Sequence, residues 1–232
     1  MIQLRPSDDR GRTRTDWLDS RHTFSFGGYF EKNWVQFRDL RVINEDWIEP
    51  EAGFGTHPHR DMEIITYQVD GQLGHRDSLG SGSVLRAGEV QVMSAGTGIS
   101  HSEANPSREE TSHLLQIWIL PERKGLQPRY DQRAFPENRR RGKLHAVVTP
   151  DGRDGSLLIH QDARLFLGSM EAETSLSYAP VPGRSAWVQV ARGLVDLNGI
   201  SLKQGDGAAI SGEASLDLRS LEDSEILLFD LR

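Results

Sequence analysis

The chain has 232 residues, 36% hydrophobic and 26% charged, which is enough to bury one large core or two small ones. Its net charge of −7 leaves no basic footprint for gripping a phosphate backbone, so direct nucleic-acid binding is not expected. There is no cysteine, which excludes a disulfide scaffold, thiol catalysis and iron–sulfur ligation.

The first twenty residues are polar and charged, without an apolar signal core, and no later run approaches the ~18 apolar residues that cross a bilayer. The expectation is a cytoplasmic protein with no membrane contact. Glycines are many and scattered, apolar runs are short and turn residues recur, a pattern that predicts an all-β sandwich or barrel. From Arg21 to Phe30 the residues alternate, with His22 and Phe24 on one face, until Gly27-Gly28 interrupts them. Phe37 to Trp47 and the β-branched stretch Glu63 to Val69 read as strands, the second closed by the turn pair Asp70-Gly71. Gly80 to Gly82 marks another turn, and Val90 to Met93 is a short strand leading to Ala95-Gly96-Thr97-Gly98-Ile99. Leu114 to Leu120 is the strongest strand, ended by Pro121. Between Arg129 and Lys143 the sequence becomes charged and Pro- and Arg-rich, including Arg139-Arg140-Arg141, and reads as a solvated connector. Leu157 to His160, Ala186 to Ala191, Leu194 to Leu197 and Ile226 to Leu231 form a second set of strands, with turns at Asn198-Gly199 and Gly205-Asp206-Gly207.

Two stretches carry chemistry. His57-Pro58-His59 and His101-Ser102-Glu103 each place two coordinating side chains at i and i+2, which an extended chain presents on one face. Pro58 biases His57 towards extended geometry. Three imidazoles and a carboxylate suit a first-row divalent ion, and in octahedral geometry they leave two positions open for chemistry. Packing alone does not account for three of eight histidines arranged in this way. Other candidates have simpler readings. Gly96-x-Gly98 lacks the third glycine and strand-to-helix context of a nucleotide loop. His22 and His113 fit ordinary strand histidines, with pocket lining as their functional alternative. Phe24, Phe26 and Trp118 belong by default to a core, although they can also flank a flat aromatic substrate.

The segments Gly55–Glu63, Met93–Glu103 and Gln116-Ile117-Trp118 resemble the pirins, two-barrel members of the cupin superfamily, and within them the bacterial pirin-like proteins with quercetin 2,3-dioxygenase activity. The resemblance implies a bicupin: a metal-binding barrel over residues 1–132, a linker over 133–143 and a metal-free barrel over 144–232. It implies one divalent transition metal per chain, iron first, with nickel, copper, manganese, cobalt or zinc as alternatives. The ligands carried over are His57, His59, His101 and Glu103. The general cupin pattern would instead use Glu63, which here becomes a residue at the edge of the core or one that orients a ligand. The implied partners are a small aromatic substrate and O2. Glu103 doubles as the base that takes the substrate hydroxyl proton, and the flavonol's central ring opens with loss of carbon monoxide. The alternative function is a metal- and redox-responsive regulator that binds another protein. A monomer is expected.

Overall fold

Short β-branched and aromatic runs between glycine turns become twenty-two strands in the computed structural model, which describes residues 1–232. The chain divides into two compact units, one formed by Gly11–Phe135 with Leu157–Gln161, the other by Met1–Arg10, Pro136–Ser156 and Asp162–Arg232. No helix is long and apolar enough to cross a membrane.

After β1 (Ile2–Arg5), the larger unit contains β2 (Gly11–Arg14), β3 (Leu18–His22), β4 (Leu40–Ile48), β5 (Gly53–His59), β6 (Glu63–Asp70) and β7 (Gln72–Asp77). It continues with β8 (Gly82–Arg86), β9 (Glu89–Ser94), β10 (Ile99–Ala104), β11 (Ser112–Ile119) and β12 (Arg129–Ala134). Two antiparallel sheets result, ordered β12-β9-β6-β11-β4-β3-β2 and β5-β10-β7-β8. Leu18, Ile48 and Leu114 of the first sheet pack against Leu73 and Leu85 of the second, and a separate cluster gathers Ile64, Met93, Ala95 and Ile99. The strands expected around Glu63–Val69, Val90–Met93 and Leu114–Leu120 are β6, β9 and β11, and Gly71 takes the left-handed φ of 67° that its turn requires.

One helical turn, α1 (Glu137–Arg140), precedes β13 (Leu144–Thr149), and β14 (Leu157–Leu158) belongs to the larger unit. The smaller unit adds β15 (Ala163–Met170), β16 (Ser175–Tyr178), β17 (Ser185–Arg192), β18 (Leu194–Leu197), β19 (Ile200–Lys203), β20 (Gly207–Ser211), β21 (Leu216–Ser220) and β22 (Ser224–Leu231). Its sheets run β1-β20-β17-β22-β15-β13 and β16-β21-β18-β19. Val188, Val190, Leu197, Leu202, Leu218 and Leu228 fill the space between them.

Three expectations need correction. The alternation seen from Arg21 ends as strand at His22, and beyond it the chain makes only a single bridge between Phe26 and Tyr29. The expected connector is largely structured: Arg129–Ala134 is β12, paired along its length with β9, and Arg140 turns inward to Glu225 at 3.1 Å instead of staying solvated. An edge strand carries charges to avoid unwanted pairing, so its composition imitates a loop. Leu157–Gln161, expected in the second barrel, belong to the larger unit, and residues 1–10, expected in the first, belong to the other, where β1 pairs with β20 in a register linking Ile2 to Ile210. That pairing spans nearly the whole chain and leaves no local signature.

Candidate metal centre

The centre is built on the four-stranded sheet. β5 and β10 pair antiparallel with His57 opposite His101 and His59 opposite Ile99. Moving along the pair, two residues from His101 to Glu103 match three from His57 to Phe54, so β5 carries a bulge at Gly55-Thr56, both exposed. Strict alternation would put Phe54 on the opposite face from His57; the extra residue turns it inward. Gly53 permits the tight contact that follows, because a Cβ there would lie 2.2 Å from the Glu103 carbonyl oxygen and 2.4 Å from the Ala104 Cα. On the far side of β10, β7 sets His75 opposite Glu103 and Asp77 opposite His101. Residues directly opposite in a sheet point the same way. Three adjacent strands therefore crowd His57, His59, His101, Glu103, His75 and Asp77 onto one face.

Ligating atoms of His57, His59 and His101 lie mutually within 4.8 Å, and so do those of His75, His101 and Glu103. His101 is common to both sets. The Nε2 atoms of His59 and His101 are 2.9 Å apart. His57 Nδ1 sits 2.8 Å from the Gly55 carbonyl oxygen, which can only accept, so that nitrogen carries the hydrogen and Nε2 is bare. Burial, with the neighbouring His57, lowers His59 to about 4 and His101 to about 3. Both rings are consequently neutral near pH 7, the form a metal needs. Glu103 is buried and clamped: Gln91 Nε2 donates to one carboxylate oxygen at 3.0 Å and Gln116 Nε2 to the other at 2.8 Å. Burial pushes its carboxyl up to about 7, against the downward pull of Gln116 and Gln91. Neutral imidazoles converging beside a buried carboxylate form a donor set that fits a first-row divalent ion.

Beside these groups lies a cavity of about 310 Å3, lined by His57, His59 and Glu103 on one side and by Phe26, Phe54 and Trp118 along its apolar wall. Trp118 meets His59 edge-on at 5.1 Å and Phe26 at 5.4 Å. His22 lines the cavity as well, with its ring nitrogens 2.8 Å from Thr13 Oγ1 and 2.9 Å from Asn44 Oδ1. Its two polar neighbours on β4 and β3, Asp46 and Ser20, are hydrogen-bonded to each other. Phe24 is buried against Trp34 and belongs to the core. His113 stacks on Trp47 and contacts Glu45 at 3.0 Å, away from the cavity lining. Glu63 accepts a hydrogen bond from Ser94 at 2.8 Å and another from the His160 backbone.

Against known proteins, residues 4–119 match the Pirin family and residues 146–231 match the quercetinase C-terminal cupin domain. The sequence is 48% identical to quercetin 2,3-dioxygenase of Escherichia coli over 231 residues, covering 100% of this chain and 99% of that protein. The chain belongs to the pirin family. The crystal structure of Escherichia coli YhhW superposes with a TM-score of 0.96 at 47% identity, covering 100% of this pirin and 98% of that chain. YhhW in complex with nickel(II) gives 0.95 at 48% identity, covering 100% and 99%. The two-barrel cupin architecture expected for this pirin is thereby met.

Sequence reasoning overlooked four residues of the pirin's site. His75 and Asp77 form a third i, i+2 pair, and its spacing was the available signal. Gln91 and Tyr130 gave none, since an amide inside an apolar strand and a tyrosine among charges acquire meaning only through pairing.

Proposed function

We propose that this chain is a metal-dependent dioxygenase of flavonols such as quercetin, with His57, His59, His101 and Glu103 as the ligands of one divalent transition metal. The observation that carries the reading is the cavity itself, in which an aromatic slot opens directly onto imidazoles and a buried carboxylate. Its volume of about 310 Å3 falls at the small end of the ~300–1,000 Å3 usual for ligand pockets, as suits a compact planar molecule. The full-length identity to the Escherichia coli dioxygenase supports the same assignment. Nickel, present in the YhhW complex, joins iron as the leading candidate metal.

Each side chain has a task. Phe26, Phe54 and Trp118 clamp the faces of a flat ring system and exclude water from it. Glu103 accepts the proton of the flavonol hydroxyl at a carboxylate oxygen, and a pKa near neutrality suits a general base. Gln91 and Gln116 hold that carboxylate in place throughout. When bound, the metal supplies a Lewis acid that polarises the deprotonated substrate oxygen and readies the ring for O2.

Oxygen uptake and carbon monoxide release are the readouts. Protein loaded separately with iron, nickel, copper, manganese, cobalt or zinc is offered quercetin and an analogue lacking the 3-hydroxyl. Uptake with quercetin alone is expected for at least one metal. No uptake with any metal, or equal uptake with the analogue, would sink the proposal.

A further inference from the structure

His75 is a buried histidine that neither the pirin resemblance nor the comparisons assign a role. Its surroundings fix its chemistry. The side chains of His75 and Asp77 are both fully enclosed, and His75 Nε2 lies 3.0 Å from Asp77 Oδ2. The other carboxylate oxygen, Oδ1, accepts backbone hydrogen bonds from Leu79 at 2.9 Å and Ser81 at 3.0 Å. A carboxylate only accepts, so the hydrogen on His75 must be on Nε2. Tyr130 stacks on the imidazole at 4.4 Å with an interplanar angle of 21°, which prevents the ring from tilting away.

With a single hydrogen on the ring, His75 Nδ1 is left as an acceptor, and it faces His101 Nδ1 at 3.5 Å. The contact is long for a hydrogen bond, yet the alternative is worse: two lone pairs facing each other in a buried site. The hydrogen of His101 is therefore placed on Nδ1, aimed at His75. His101 Nε2 is then bare and accepts from His59 Nε2 at 2.9 Å, so in the metal-free protein both contacts of His101 carry one hydrogen each.

We propose that His75, locked by Asp77 and Tyr130, is a positioning residue that holds His101 in the one tautomer able to coordinate metal through Nε2. This rests on the reading of His101 as a ligand. Metal-binding histidines commonly direct their second nitrogen to a carboxylate or carbonyl. Here an imidazole stands between, and the carboxylate acts through it. Tyr130 also supports the opposite side of the site: its hydroxyl donates to Gln91 Oε1 at 3.0 Å, and Gln91 holds Glu103.

Long-range nitrogen–proton NMR of 15N-histidine protein, free of metal and near neutral pH, tests this directly. The wild type is expected to show His75 protonated on Nε2 and His101 on Nδ1; His101 protonated on Nε2 overturns the proposal, whatever any variant does. Asp77→Asn should reverse both assignments. The Leu79 and Ser81 amides keep an oxygen on their side, so the new NH2 must face His75 Nε2 and make it an acceptor. Nickel affinity, measured by competition with a chelator, should then fall about 10–100-fold while circular dichroism stays unchanged. His101→Ala separates the two readings. If it binds nickel as tightly as wild type, His101 is not a ligand. If it loses nickel and Asp77→Asn does not, only the positioning role fails. His75→Phe keeps the stack on Tyr130 and removes both nitrogens, so it should lose less affinity than Asp77→Asn. A loss as complete as that of His101→Ala would make His75 itself a ligand and overturn the positioning role.

Discussion

Glu103→Gln separates the chemical role of the carboxylate from its structural one, because the surrounding hydrogen bonds define what the substitution costs. Each carboxylate oxygen accepts one amide hydrogen, from Gln91 at 3.0 Å and from Gln116 at 2.8 Å. An introduced carboxamide offers one acceptor and one donor in the same space, so one neighbouring amide must turn. Gln91 is held on both sides, donating to Thr66 Oγ1 at 3.0 Å and accepting from the Tyr130 hydroxyl at 3.0 Å. Gln116 surrenders only a long bond from Trp118 Nε1 at 3.3 Å. It is the one to rotate, at a cost of about 1 kcal/mol, the worth of one neutral hydrogen bond. With a urea m-value of roughly 2 kcal/mol per molar, the unfolding midpoint should drop by about 0.5 M. Loss of the base should be far larger, ~10²–10⁴ in turnover, or about 3–5 kcal/mol of barrier. Urea unfolding, metal content and oxygen uptake are measured on one preparation. Unchanged activity per bound metal would refute the base role, and a stability loss above about 3 kcal/mol would refute the account of the clamp.

Other perturbations probe the remaining parts. His57→Ala, His59→Ala and His101→Ala should each lower metal occupancy and leave far-ultraviolet circular dichroism intact, because the core clusters of the larger unit contain none of them; unfolding of all three would make the site structural. Trp118→Ala removes one wall of the cavity and should raise the flavonol KM roughly 30-fold, about 2 kcal/mol of buried aromatic surface, at unchanged metal content. Gly53→Ala forces a Cβ into the β10 backbone and should destabilise the fold by about 1–3 kcal/mol, read as a lower unfolding midpoint. Burial raises Glu63 from 4.5 to about 7, so the folded state holds a proton that the unfolded chain releases. Stability from this group is full below about pH 4.5 and is lost as pH rises through about 7, by about 3 kcal/mol at most. Glu63→Gln should therefore gain on the wild type between pH 5 and pH 8 in urea unfolding; a pH-independent difference would contradict this.

The all-β class and the convergence of His57, His59 and His101 were legible because both rest on short-range regularities. His57-x-His59 and His101-x-Glu103 need only an extended backbone to share a face, and Pro58 helps to supply it. What escaped depends on pairing between distant segments. His75-x-Asp77 has the same spacing, yet it becomes meaningful only when β7 aligns with β10. Tyr130 falls in a stretch that reads as a connector because Arg129, Asp131 and Arg133 surround it, and such charges suit both a loop and an edge strand. β1 joined the other unit through partners some two hundred residues away. Phe24 and Phe26 looked equivalent by parity, but strand geometry ends at His22, and only Phe26 reaches the cavity.

The bulge at Gly55-Thr56 gives β5 two independent phases. Ahead of it, Phe54 belongs to the aromatic wall of the cavity; behind it, His57 and His59 belong to the imidazole cluster proposed to hold metal. The Gly55 carbonyl within the bulge also sets which nitrogen of His57 is free. Deleting either bulge residue would restore strict alternation and expel one set or the other from the cavity, whereas exchanging the side chain at position 54 leaves the histidine phase untouched. Under the proposed ligand set, the shape of the cavity can thus drift along one half of the strand without retuning coordination on the other.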